Sequence, residues 1–234
     1  MRVIVTRPEI GGRRTADRLA AMGHDAVLLP LTEPEHRPQA AAEALHLPHA
    51  VIAITSAEAV RTLSAVEQAD LQPAFDTPVH AVGTASATAA RNLGFRQVTA
   101  GPGTGAGLAQ KLACDGVQDV LYLAGRPRSA LFEAGLAAAG IRFRTVEVYS
   151  MRPAALKAEQ LTALSPHPDA VLFYSSEAAR IFMNHPALRH ALPDLARMTA
   201  FCLSRTIADA LPADSFGTIR VAPEPSEEQL LLLL

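Results

Sequence analysis

Apolar residues fall into short, nearly unbroken runs rich in valine and isoleucine, at 3–5, 26–29, 51–54, 79–82, 120–123, 146–149, 171–174, 200–203 and 219–222. Between them lie alanine- and leucine-rich stretches with helical spacing, as at 13–22, 57–66 and 85–93. A strand covered on both faces reads as a continuous apolar run, so the pattern predicts βα units feeding parallel sheets. The order also repeats. VIVTRP at 3–8, with its helix and the strand ending in Arg37-Pro38, resembles VLYLAGRP at 120–127, with its helix and the strand ending in Arg152-Pro153. AVIAITSAEAV from Ala50 resembles AVLFYSSEAAR from Ala170, and HAVGTASATAARNLGF from His80 resembles FCLSRTIADALPADSFG from Phe201. Val3 to Val120, Ala50 to Ala170 and His80 to Phe201 are offset by 117, 120 and 121 residues, which implies two copies of one α/β unit.

Prolines mark the connections. Pro30, Pro34 and Pro38 interrupt the segment after the second run, and Pro153 follows its counterpart. Proline lacks a ladder donor and fixes φ, so the segments near 30–38 and 146–153 read as extended connectors rather than central strands. Two connectors permit an inserted arrangement, in which the chain leaves one domain near residue 35, builds a second and returns near residue 150. A simple tandem order is equally compatible with the residues alone.

Composition narrows the function classes. The 234 residues are 49% apolar and 19% charged, as in ordinary globular proteins, and long enough for one large domain or two small ones. A net charge of −2 provides no positive field for nucleic acid or an anionic membrane, so an anionic ligand would need local arginines. Cys114 and Cys202 are far apart and follow no metal or redox spacing, which points to a reducing compartment. The apolar run of the N-terminus is too short for a signal peptide, and Leu230–Leu234 cannot cross a bilayer, which needs about 20 residues. The expectation is a cytoplasmic protein, with a helix from about Pro225 at its end.

In open parallel sheets ligands bind beyond the carboxyl ends of the strands. Those ends carry Thr6-Arg7, Thr55-Ser56, Gly83 and Ser86, Gly125-Arg126 with Arg128, Ser175-Ser176, and Ser204-Arg205-Thr206. Each cluster precedes a helix, so hydroxyls and free backbone N–H groups suit a carboxylate or phosphate. Serine and threonine are also good helix caps, which would account for any one cluster by itself. Their recurrence in both halves, with Arg7, Arg126, Arg128 and Arg205 beside them, points to a site for a polyanion.

The set VTRP at 5–8, ITSAEAV at 54–60, AVGTASA at 81–87, LYLAGRPR at 121–128, VYSMRP at 148–153 and VAPEPSEEQLL at 221–231 resembles the uroporphyrinogen-III synthase family over essentially the whole chain. The resemblance implies an α/β protein of two flavodoxin-like domains with parallel sheets, joined by a two-stranded linker. Residues 1–35 plus 153–234 would form one domain and 38–148 the other. It also implies a lyase without cofactor or metal, acting as a monomer. The substrate would be hydroxymethylbilane, a linear tetrapyrrole with eight carboxylates, closed to uroporphyrinogen III with inversion of ring D and loss of water. Tyr149 corresponds to the family's tyrosine and is the candidate catalytic residue, assisting loss of the hydroxyl. Thr6, Arg7, Thr55, Ser56, Gly83, Ser86, Gly125, Arg126, Arg128, Ser175, Ser176, Ser204 and Thr206 are the candidate substrate-binding residues. The chain departs from the family where Ser204 replaces a glycine and Ile207 a threonine, leaving Thr206 as the hydroxyl there. In the first half Gly83 stays and Ser86 stands for the threonine.

Two other readings compete. Gly101 to Ala106 fits G-x-G-x-x-A, and Arg126 ends the next strand, as a reader of an NADP phosphate would. The motif follows the fourth strand of its presumed domain rather than the first, and its counterpart at 222–226 has no glycines. A two-domain, clamshell-type binding protein for a small anion would share the doubled architecture. His46 and His49 have metal-like spacing, but Pro48 breaks the helix that would align them. Tyr174 is a lesser active-site candidate, and Phe173 and Phe201 read as sheet core.

Overall fold

All nine apolar runs become strands, and the central ones are buried on both faces. In the computed structural model, which describes all 234 residues, the strands are β1 (Arg2–Val5), β2 (Asp25–Leu28), β3 (Thr32–His36), β4 (Val51–Ile54), β5 (Val79–Ala81), β6 (Val98–Ala100), β7 (Asp119–Arg126), β8 (Arg142–Pro153), β9 (Ala170–Phe173), β10 (Thr199–Cys202) and β11 (Thr218–Val221). Alternate residues go to opposite layers. Ile52, Ile54, Leu121 and Leu123 pack on one side of their sheet, and Val51, Ala53, Val120 and Tyr122 on the other. Ile4 and Val171 likewise oppose Val3, Val5 and Leu172 in the second sheet. Each fully buried valine, leucine or isoleucine contributes about 1.5–3 kcal/mol, so a polar residue anywhere in β4 would be strongly destabilising.

The chain forms two units, residues 1–33 with 152–234, and residues 34–151. The first holds a five-stranded sheet of order β11-β10-β9-β1-β2. Counted along this unit's own chain, the order is 2-1-3-4-5, that of flavodoxin-like folds. The second holds a six-stranded sheet of order β3-β8-β7-β4-β5-β6. Apart from β3 it has the same spatial order, with the chain entering at the third position. The registers repeat too: Val51 pairs with Val120 and Ala170 with Val3, both in parallel ladders.

The connectors are β3 and β8, and each runs across the boundary between units; β8 is nevertheless an interior strand, flanked by β3 and β7, which corrects the expectation that 146–153 stays outside the sheet. Pro34 lies within β3. A residue without an N–H is tolerated there because β3 is an edge strand. The first helix begins at Glu9, earlier than its apolar spacing suggests. Its first turn contains Gly11 and Gly12, which carry no spacing signal, and at Gly12 a Cβ would crowd the Arg7 carbonyl and Leu28 at 3.3 Å. The last helix, Glu227–Leu231, is capped by Ser226 and buries Leu230 and Leu231. No helix is long and apolar enough to cross a membrane.

Candidate functional site

In the second unit the carboxyl ends of β4 and β7 enclose a cavity of about 310 Å³, lined by Thr55, Ser56, Gly125, Arg128, Tyr122 and Tyr149 among others. Ser56 caps the helix Ala57–Leu63, accepting the Glu58 N–H at 3.1 Å. The same hydroxyl also hydrogen-bonds Tyr149. Thr55 meets the Tyr122 hydroxyl at 2.7 Å. Tyr149, on β8, is only 8% exposed. Burial pushes its phenol above the ordinary tyrosine range, against the Ser56 hydrogen bond that pulls it down. At neutral pH the phenol therefore keeps its proton and can donate it.

Gly125 makes room for that ring. It pairs with Tyr149 across an irregularity in the β7–β8 ladder, and a Cβ at this position would lie inside the tyrosine ring and hydroxyl. Its role is steric, which the strand-end pattern does not express. Arg128 is not free for a ligand: it binds Glu133 at 3.1 Å and Glu147 at 2.8 Å. Hydrogen bonding to Arg128 holds the Glu133 carboxyl below its usual range, with burial opposing and Thr145 assisting. Glu133 is therefore ionised at neutral pH, and it and Glu147 together occupy this guanidinium. Arg126 is the available cation, with a side chain 73% exposed and Glu147 no nearer than 3.9 Å. Gly83 caps the helix Thr84–Leu93 next to Val82, which lines the cavity. Ser86, in the first turn of that helix, is buried at 5% exposure.

The first unit arranges its strand ends differently. Thr6 is fully buried, and its hydroxyl donates to the Leu172 carbonyl at 2.7 Å. This corrects its expected place on the rim: the side chain ties β1 to β9 instead. Arg7 stacks over the Tyr174 ring, 4.5 Å from its centroid, and binds Glu227 at 2.8 Å. Glu227 also receives the Tyr174 hydroxyl at 3.1 Å, Arg18 at 3.1 Å and the Thr15 hydroxyl. Burial works to raise the Glu227 pKa, but the bonds from Thr15 and Tyr174 and the charges of Arg7 and Arg18 outweigh it, so the carboxyl sits below its ordinary value. Tyr174 is pushed up to about 12, chiefly by burial. Arg7 is thus answered within the unit. What stays accessible is a row of hydroxyls at the ends of β9 and β10. Ser175 caps its helix by accepting the Ala178 N–H, Ser176 donates to the Thr206 carbonyl at 3.2 Å, and Ser204 leads into Arg205–Ala208 without a side-chain cap bond. Arg205 pairs with Asp209 on its own helix.

The sequence pattern overlooks Tyr122, Phe132, Glu133 and Glu147. A lone tyrosine inside the aliphatic run VLYLA is a usable signal, since a buried phenol needs a polar partner. The glycine run also changes meaning. The N–H groups of Gly101 and Gly103 are spent on the Ala81 and Val82 carbonyls, both at 2.7 Å, and that of Gly107 on Thr104. They cannot cradle a pyrophosphate, and β6, which precedes them, is an edge strand. Gly103 and Gly105 instead line the cavity, Gly103 with φ of +93°. A larger hollow of about 400 Å³, beside Phe182, Leu188 and Leu195, lies near the segments leading into β10 and β11, away from the strand carboxyl ends.

Comparison with known proteins adds to this geometry. The family profile described as Uroporphyrinogen-III synthase HemD matches residues 13–231. No curated protein matches. Among solved structures, a uroporphyrinogen-III synthetase from Helicobacter pylori aligns at 22% identity with a TM-score of 0.70, over 100% of this chain and 98% of that one. A mutant uroporphyrinogen III synthase from the extremely thermophilic bacterium Thermus thermophilus aligns at 23% identity with a TM-score of 0.55, over 100% and 96%. At these identities the two structures speak to the fold, and the family match speaks to the lineage.

Proposed function

The chain belongs to the uroporphyrinogen-III synthase family of tetrapyrrole biosynthesis, and on that premise we propose that it is a lyase closing hydroxymethylbilane to uroporphyrinogen III with inversion of ring D and loss of water. The observation that carries this reading is the protonated Tyr149 phenol on the wall of a hydroxyl-lined cavity, with Gly125 cut back to admit its ring. The electron push comes from the pyrrole nitrogens of the substrate. What the protein must add is a donor for the departing hydroxyl and a cradle that folds the chain toward the harder closure. A phenol held protonated by burial suits the first task. The hydroxyls of Thr55 and Ser56, the exposed guanidinium of Arg126 and the backbone at Gly83 suit the second, and the first unit carries hydroxyls of its own at Ser175, Ser176, Ser204 and Thr206.

A cavity of 310 Å³ is at the small end of the roughly 300–1,000 Å³ typical of ligand sites, so it would hold only the reacting end of a tetrapyrrole. The reading extends to a monomer in a reducing compartment, which sedimentation and the redox state of Cys114 in cells would examine. The decisive assay supplies fresh hydroxymethylbilane, oxidises the products and separates the porphyrin isomers. Type III product is expected; type I alone, the spontaneous outcome, would sink the proposal.

A further inference from the structure

We propose that Tyr122 is a positioning residue: its buried phenol donates to Thr55 and so fixes the Thr55 hydroxyl as a second hydrogen-bond donor facing the cavity beside Tyr149. This rests on the reaction proposed above and names a residue that the strand-end pattern does not contain.

The ring of Tyr122 cannot easily move. It is 1% exposed, its residue pairs with Ala53 in the β4–β7 ladder, and it meets Phe132 edge-on with centroids 4.7 Å apart. Its hydroxyl lies 2.7 Å from Thr55 Oγ1, and buried polar groups are strongly selected to be satisfied. Either oxygen can donate across this contact, and a phenol, with a pKa of about 10, is a far stronger acid than an alcohol and so the better donor of the two. Burial raises the Tyr122 pKa further, with Thr55 pulling it down, and the phenol stays protonated. A threonine hydroxyl has one proton to give. If Thr55 accepts from Tyr122, that proton points elsewhere, and Thr55 is a half-buried residue on the cavity wall. Ser56 meanwhile accepts from the Glu58 N–H and hydrogen-bonds the Tyr149 oxygen. Two consecutive hydroxyls are thereby each coupled to a tyrosine, and the protons of Thr55 and Tyr149 are left for an acceptor oxygen, such as a departing hydroxyl or a carboxylate.

Tyr122→Phe keeps the ring against Phe132 and removes only the donor. It should lower kcat/KM for type III product about three- to tenfold, the worth of one hydrogen bond. Thr55→Val should lose at least as much, and the double variant should match Thr55→Val within about twofold, because the phenol acts only through Thr55. Thr55→Ser, which keeps the hydroxyl, should retain more activity than Thr55→Val, and adding Tyr122→Phe should lower it again. Losses that multiply in the double variant overturn the proposal. So does a full rate in Thr55→Val, a half-exposed change that tolerates folding even if Tyr122→Phe does not, and so does a lowered melting temperature in Tyr122→Phe with an unchanged type III rate. If the parent protein itself makes only type I, the reaction reading fails first, and that outcome is separate from the behaviour of the variants.

Discussion

The two units use one strand plan and finish its rims with different side chains. Ser56 and Ser175 cap equivalent helices, which aligns Thr55 with Tyr174 and corrects by one residue the sequence match of Ala50 with Ala170. The ladders pair Ala53 with Tyr122 and Leu172 with Val5, which aligns Tyr122 with Val5. In the second unit, then, the tyrosine lies inside the central strand and backs a threonine at the mouth. In the first, a valine occupies the strand and the tyrosine itself stands at the mouth, turned toward Glu227. That single carboxylate also absorbs Arg7, Arg18 and Thr15. One rim leaves donors open to a ligand; the other closes several of its donors on an internal acceptor. A shared backbone does not confer a shared site, and the placement of one acceptor decides which positions remain free.

The sharpest test sets one mouth tyrosine against the other. Tyr149→Phe should lower type III formation by about a hundredfold, as loss of a proton donor does, in a discontinuous assay with isomer separation. Tyr174→Phe should leave that rate within about twofold and cost about 1 kcal/mol in urea denaturation. Equal losses at both would erase the distinction. Next comes Gly125→Ala, whose methyl group must displace the Tyr149 ring. It should destabilise by about 1–3 kcal/mol and reduce the rate with it, read by thermal melting and by assay.

Glu227→Gln probes the closed rim by itself. Removing the charge leaves Arg7 and Thr15 poorly answered and should cost about 1–3 kcal/mol at pH 7. Because the folded carboxyl lies below its unfolded value, its contribution is fully present above the unfolded pKa and fades as pH falls through the folded one. The gap between parent and variant in denaturant titrations should therefore narrow below about pH 4. A gap that widens in acid would contradict the assignment. The smallest effect concerns the two arginines of the open rim. Arg126→Ala should raise KM about two- to threefold, and less at high salt, since the group is exposed and screened. Arg128→Ala should act mainly on stability, because its partners are Glu133 and Glu147.

Much of the fold was readable from residue order because strand burial is a local signal. VIV, VIAI and AVLF each carry enough apolar surface to commit to a doubly covered strand wherever they land. The site was readable only in part. Ser56 and Ser175 cap helices, as their position before Ala57 and Ser176 suggests, yet Ser56 also bonds Tyr149, nearly a hundred residues away. Thr6 and Ser86 carry the same hydroxyl signal and are buried, since a polar side chain one position off the rim points into packing. Arg128 and Arg7 look like ligand arginines until Glu147 and Glu227 arrive from distant segments.

Chain order by itself determined which segments are strands, which are helices, that two copies of one unit are present, and which residues stand at strand ends. Tertiary structure decided how the copies combine. Apart from the edge strand β3, each sheet takes two strands from one repeat and three from the other, β1 and β2 with β9 to β11, and β7 and β8 with β4 to β6. It also decided which hydroxyls and guanidinium groups remain unspent. Periodicity is set by neighbours three or four residues apart, whereas a ladder partner or a counter-charge is set by whatever the folded chain brings within about 3 Å, and nothing in local order records that distance.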